Sequence, residues 1–516
     1  MARRIFLGLD THRLALVILF VAVFAMAMRV PTDTDTWWHL QAGRVMVESG
    51  RVLTTDLFSH TRYGAPWVAY AWLSQVILYL LFHHLSYVGL GLWIGGVLVA
   101  AFVFVYLQME GDVFLRAFII VLAALTSAVI WAARPQLISL LLTSVLTYIL
   151  YLFKWRGVNR LWLLPPLFVL WVNLHAGYAL GFMVLAAFVA GEALNRVLWL
   201  LEPTLDARSE GGDPGRGRDP VLGWRGLGWV VGVALLSALV LVIHPNTTQM
   251  WTYYLDTVRI GVLQDFIQEW QSPDFHQLRA QPFIWLLLAT LAAAGLSGRR
   301  IDGTDLALVG GFAYAALLAG RNIAPFAIVA APALSRHARP ILEGWARTAR
   351  SRGWLRARRL AVRRPSPRKA LLNWTLLFLI LAAAGVKAAL PLRASFNRAH
   401  ERETLPLGAI EWIREQQPDG PMFNSYNWGG YLIWHLWPDY LVFVDGRTDL
   451  YGDELLRQYL KVHFVKPGFY TILNQHGVNF VVTEAGSFTD NFLALDDGWI
   501  LAYADDVAVV YVRTER

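Results

Sequence analysis

Asp33 and Asp35 stand two residues apart in PTDTDTWWHL, directly after an apolar run, with His39 four residues further on. A carboxylate at the edge of a bilayer can take the proton of an attacking hydroxyl. Two carboxylates and an imidazole could also hold a divalent cation such as Mg or Mn, as oxygen-rich loops do loosely. The plainer alternative makes Asp35 a helix N-cap and Trp37 and Trp38 interfacial anchors. Arg134 in WAARPQ and Arg321 in GRN lie at the ends of apolar segments. Each could offer a planar fork to a phosphate or simply reach out of the membrane. Asn173 and His175 in WVNLHAGY and Glu269 in QDFIQEWQSPDF complete the candidates. Asn173 and His175 are substrate contacts or satisfied cavity residues. Glu269 is a second acid, a sugar contact, a metal ligand or a solvated loop acid. Asp56 and His60 in TTDLFSHT are read as braces of their loop. With no cysteine in the chain, disulfides and thiolate metal sites are excluded.

These groups must be positioned by a membrane-embedded scaffold. Of 516 residues, 56% are hydrophobic and 16% charged, too apolar a balance for a soluble protein of this length. Spanning candidates are Leu14–Val30, Tyr87–Leu107, Val113–Ala132, Gln136–Phe153, Leu161–Leu174, Ala176–Leu200, Gly226–Ile243, Pro282–Leu296, Gly303–Leu318, Ile323–Leu334 and Leu371–Leu390. The shorter Ala71–Phe82 is ambiguous. The predicted class is a polytopic α-helical membrane protein of about 11 to 13 spanning helices with a soluble C-terminal α/β domain. The net charge of +8 does not point to nucleic acid, because residues 336–369 hold twelve basic residues and one acid beside the helices. Such a block reads as a cytoplasmic loop facing anionic lipid.

With the N-terminus inside and Ala71–Phe82 not crossing, 154–160, 201–225, 298–300 and 336–369 all fall on the inner face. The same topology puts PTDTDTWWHL, WAARPQ, WVNLHAGY, HPNTTQ, QDFIQEWQSPDF and GRN on the outer face, where they imply a polar cavity. The expected domains are 1–391 in the membrane, with 31–70 as a long external loop, and 392–516 outside. WWHLQAGRVMVESG reads as an amphipathic helix lying in the interface and ended by Gly50. In 392–516, GPMFNSYNWGGYLIWHL reads strand, turn, helix, YLVFVDG a buried strand, GDELLRQYLKVH a helix, FYTILNQHGVNFVVTE helix then strand, and WILAYADDVAVVYVR a hairpin. Gly429–Gly430 is at best a weak anion site. Trp428, His435, Trp437, Asp445, Arg447 and Asp449 could contact a sugar or form a packed core with a buried Asp445–Arg447 pair.

DTWWHLQAGRVMVESGRVLTTDLFSHTRYGAPWVAYAWLSQVILYLLF resembles the first external loop of the GT-C superfamily of membrane glycosyltransferases, in the branch of the aminoarabinose and protein mannosyltransferases. Counting back from Met46 aligns Asp35 with that family's first acid. Its second acid is Thr36 here, its Lys is Ala65, and Asp33 stands two residues earlier. The resemblance implies an inverting hexosyl or pentosyl transfer from a polyprenyl-phosphate donor to a glycan, lipid or protein acceptor. It further implies action on the outer face of a bacterial or archaeal plasma membrane, with Asp35 as base, Asp33 in support and the arginines near the leaving phosphate. Two rivals remain: a lipid or sugar transporter, and a GT-C-like protein that binds lipid-linked sugar without turnover. A transporter should carry repeats and mid-membrane charges, whereas here the polar groups cluster at one face and Glu192 is the main acid within a helix.

Overall fold

The computed structural model describes residues 7–201, 220–352 and 366–514. Most of the loop 201–225 and residues 353–365 of the basic block therefore lie outside the described residues. Among the described residues six helices are long and apolar enough to cross a membrane: Tyr87–Leu107, Val113–Ile130, Gln136–Trp155, Tyr178–Leu200, Trp224–Val242 and Pro367–Ala389. Five shorter apolar helices join them: Thr11–Ala27, Trp72–Leu85, Leu161–Leu174, Gln281–Leu296 and Gly303–Leu318. Their starts follow local chemistry. Asp10, Asp112, Asp302 and Ser366 each accept a main-chain N–H of the first turn, satisfying donors that have no intrahelical partner. Prolines stand at the first turns of Leu164–Leu174, Gln281–Leu296 and Pro367–Ala389, where no N–H is missed.

One helix departs from expectation. The segment expected to end at Leu334 runs on as Ile323–Ser351, so 336–351 of the basic block is helical rather than loop. Buried Arg336 donates from Nε to Asp305, at 2.9 Å, and its Nη2 meets the same carboxylate. Close by, Lys154 is enclosed by Glu192, Asp302 and Thr304. These pairs gather the basic loops at one end of the bundle. Arg299 and Arg339 also share Glu110 there.

At the opposite end, helix Asp35–Ser49 lies against Trp72–Leu85 and against Gly429–Leu436 of the C-terminal domain. The expected helix and its Gly50 stop are present, Gly50 being left-handed at φ 64°. Its expected place in the lipid interface is not. Trp37, Trp38 and Val45 are 2%, 1% and 9% exposed, covered by protein. Trp37 packs within 6.2 Å of the rings of Phe82, Tyr431, Trp434 and His435. A helix sandwiched between two partners needs apolar residues on both sides, and the second side was mistaken for a membrane anchor.

The C-terminal domain carries a four-stranded sheet in the order β1-β2-β4-β3, with β1 Met422–Asn424, β2 Phe480–Glu484, β3 Trp499–Ala504 and β4 Ala508–Arg513. β1 and β2 are parallel and the other pairs antiparallel. The expected strand in YLVFVDG does not join the sheet. Val442 instead exchanges main-chain hydrogen bonds with Phe58 and His60 of loop 31–70, each at 3.0 Å. The expected helices Thr448–His463 and Phe469–Gln475 are present.

Candidate active site

The domain junction is locked by charge. Arg447 is wholly buried and donates to Asp56 at 2.6 Å and to Asp445 at 2.7 and 2.8 Å. Asp56 also accepts from the N–H groups of Phe58 and Ser59 and from the Ser59 hydroxyl, and Tyr451 donates to Asp445. Every carboxylate oxygen is thereby satisfied, which a buried ionic group requires. The Asp445–Arg447 pair is structural, and Asp56 and His60, whose Nε2 meets the Met422 carbonyl at 3.0 Å, brace the loop as expected.

Beside this lock lies a cavity of about 880 Å³ whose wall includes Asp33, Asp35, Arg134, Glu269 and Arg321. Four of the six polar clusters of the sequence thus meet in one place. Asp33 Oδ1 accepts the Asp35 main-chain N–H at 3.0 Å, so Asp33 closes the helix start and Asp35 is not the cap. The Asp35 carboxylate is free to turn inward. Trp38 Nε1 donates to its Oδ1 at 3.0 Å and Arg134 Nη2 lies 3.0 Å from its Oδ2. Arg134 Nη1 reaches Asp33 at 3.1 Å and Glu269 at 3.7 Å. One guanidinium therefore holds three carboxylates. The fork that was expected to face a phosphate faces these three acids in the structure.

Desolvation pushes the Asp35 carboxyl up to about 6, opposed by Arg134 and the Trp38 bond and assisted by the charges of Asp33 and Glu269. A carboxylate in the first turn of a helix is ordinarily favoured by the helix dipole, and here desolvation is the larger effect. At neutral pH the group is still mostly ionised.

Three arginines on the cavity wall, Arg29, Arg279 and Arg321, have no carboxylate partner among the described residues. Arg321 stacks 4.1 Å from the Trp270 ring centre, and Arg29 lies 5.2 Å from that of Trp131 while donating to the Ala128 carbonyl at 3.0 Å. Arg29 was missed in the sequence because a basic residue after a spanning helix looks like any snorkelling one.

Other candidates fall away from the cavity wall. Asn173 accepts from Trp72 Nε1 at 2.8 Å and donates to the carbonyls of Val169 and Ile243, so it ties helix ends together. His175 Nδ1 meets Ser139 Oγ at 2.7 Å, and burial with the charges of Arg321 and Arg134 depresses its pKa to about 3. His39 stacks on Trp38, 3.6 Å between ring centres, and its Nδ1 meets Gln75 Nε2 at 3.1 Å. Its ring is thus turned from Asp33 and Asp35, and the expected metal triad does not assemble. Among the described residues no group of three or more His, Asp or Glu is placed to hold a metal ion. The position between the carboxylates that a divalent cation would need is taken by Arg134.

The soluble domain supplies the remaining wall through Tyr426, Asn427, Gly446 and Thr448, none of them among the sugar contacts expected. Gly429 and Gly430 serve close packing, Gly430 against the Thr34 carbonyl, and not an anion. Asp449 accepts from Tyr253 at 3.0 Å, and desolvation raises it to about 6.

No protein-family model matches the chain, and no curated protein sequence matches it. Solved structures do. The Archaeoglobus fulgidus oligosaccharyltransferase in the apo form superposes with a TM-score of 0.55 at 12% identity, over 97% of this chain and 74% of its own. AglB from the same organism, in complex with an inhibitory peptide and a dolichol-phosphate, gives 0.55 at 11% identity with the same coverage. ArnT from Cupriavidus metallidurans bound to undecaprenyl phosphate gives 0.45 at 14% identity, over 96% of both chains.

Proposed function

From the GT-C fold that this chain shares with the oligosaccharyltransferase, we propose that it is a membrane glycosyltransferase using a polyprenyl-phosphate sugar donor. The observation that carries the reading is the joint placement, in one cavity, of an inward carboxylate, Asp35, and of Arg29 and Arg321, two of the three lining arginines with no carboxylate partner among the described residues. Asp35 accepts the proton of an acceptor hydroxyl as that oxygen bonds to the anomeric carbon. The bond from that carbon to the phosphate oxygen breaks, and the electron pair leaves with the phosphate. Arg321 and Arg29 meet the charge that develops there. Arg134 holds Asp33, Asp35 and Glu269 in register. A single displacement of this kind inverts the anomeric centre. The AglB complex contains dolichol-phosphate, which favours a lipid-linked donor here.

The carboxylates clamped by Arg134 do not fit a divalent cation, so no step is routed through one. Turnover that EDTA abolishes and Mg or Mn restores would overturn this. The outer-face placement rests on the basic residues gathered at the end of the bundle opposite the cavity.

The test is reconstitution in proteoliposomes with undecaprenyl- and dolichyl-phosphate sugars and a cell-envelope extract as acceptor source. Released polyprenyl phosphate is followed by mass spectrometry. Asp35→Asn should keep the fold and lose about two to four powers of ten in rate. Wild-type release with no donor in the panel, or an Asp35→Asn rate near wild type, would sink the reading.

A further inference from the structure

Tyr426 opens the turn Tyr426–Trp428 that joins β1 to helix Gly429–Leu436. Its main-chain N–H donates to the Tyr459 hydroxyl at 2.9 Å, and the two rings lie 6.1 Å apart, so the residue is fixed from behind. Its own hydroxyl has no hydrogen-bond partner among the described residues, although the ring lines the cavity. Asp35, Asp445 and Glu269 all act on that hydroxyl, with Arg134 opposing them, and burial keeps it a phenol. It can therefore donate but not serve as the base. Asn427 beside it lines the same wall, is exposed, and has an amide with no partner among the described residues. Both groups line the cavity with hydrogen-bonding capacity that no described protein group uses, so an occupant of the cavity can take it.

The wall has two halves. Arg29 and Arg321 come from the ends of membrane helices, whereas Tyr426 and Asn427 come from the soluble domain. Asp35 belongs to the helix held between that domain and the membrane helices. We infer that Tyr426 and Asn427 form the acceptor subsite, positioning a polyhydroxylated acceptor such as a sugar unit so that its attacking oxygen reaches Asp35. The inference rests on the transfer reading above.

Tyr426→Phe deletes the hydroxyl and keeps the ring on Tyr459, and Asn427→Ala alters an exposed side chain, so both should fold. Polyprenyl phosphate release is titrated separately with donor and with envelope extract, and binding of undecaprenyl phosphate alone is measured alongside. The amount of extract giving half-maximal rate should rise about tenfold in each variant, the loss expected for one hydrogen bond. Half-saturation by donor and undecaprenyl phosphate affinity should stay within about threefold. If the donor or undecaprenyl phosphate titration shifts instead, or if neither titration moves, the subsite assignment is overturned. A wild-type protein that neither binds undecaprenyl phosphate nor releases it overturns the transfer reading and the subsite with it.

Discussion

Gly446→Ala tests the cavity through a residue with no chemistry of its own. Gly446 follows Asp445 of the buried lock and touches Asp35 from the soluble domain. A Cβ built there would lie 1.9 Å from Asp35 Oδ1 and 2.7 Å from its Cγ. Ordinary contact begins at 3.4 Å, so roughly 1.5 Å must be found. The Gly446 backbone is not left-handed, so alanine strains nothing by itself and the conflict is with the carboxylate alone. Asp445 and Arg447, both fully buried, hold the loop on either side, so Asp35 must yield. Moving it by about 1 Å breaks the 3.0 Å contacts with Trp38 and Arg134 together. A misplacement of that size costs about a hundredfold in rate, while overpacking costs about 1–3 kcal/mol of stability. We expect polyprenyl phosphate release to fall by about two powers of ten with a modest drop in Tm. Gly344→Ala, in helix Ile323–Ser351 with nothing within 4 Å, should match wild type. A folded Gly446→Ala protein with full activity would refute the claim that this contact sets Asp35.

The remaining expectations concern charge and orientation. Because the Asp35 carboxyl is raised to about 6 and the proposed base works only when ionised, the rate should be flat above that pH and fall about tenfold per unit below it. Asp33→Asn removes one charge that raises Asp35, so the acid limb should move to lower pH; a limb that stays or moves up contradicts the assignment. Arg447→Met strands the buried carboxylates of Asp56 and Asp445 and should cost about 3–5 kcal/mol, seen as lower Tm and easier proteolysis between the domains. An unchanged Tm would mean that the lock is not structural. Since the chain has no cysteine, Leu495→Cys on the exposed domain surface should react with a membrane-impermeant maleimide from outside in intact cells, and Arg347→Cys should not. The reverse pattern would invert the proposed topology.

The helical scaffold was legible because long apolar runs carry their own signal, and Tyr87–Leu107 begins and ends where the sequence put it. The convergence of Asp33, Asp35, Glu269 and Arg321 on one end followed from topology alone. What the sequence hid was partnership. Nothing in WAARPQ says that Arg134 will be consumed by carboxylates from two other loops. Trp37 and Trp38 look the same whether lipid or protein covers them. YLVFVDG has strand composition, yet its partner is the loop at Phe58 and His60 rather than the sheet. Gly446 carries no sign of its closeness to a residue 411 positions earlier, which is a property of the docked surfaces and not of the local pattern.

The lock through Asp56, Asp445 and Arg447 has a consequence for biogenesis. Asp35 leaves the ribosome early, but the surfaces that seat it, around Tyr426 and Gly446, are among the last to be made. Until they dock, Asp56 waits without its guanidinium and the wall beside Asp35 is open. A nascent chain halted before this segment has the candidate spanning helices found among the described residues but lacks the wall that Tyr426 and Gly446 place beside Asp35. The pocket around Asp35 is thus closed by docking of the last-made part of the chain and not by the membrane helices alone.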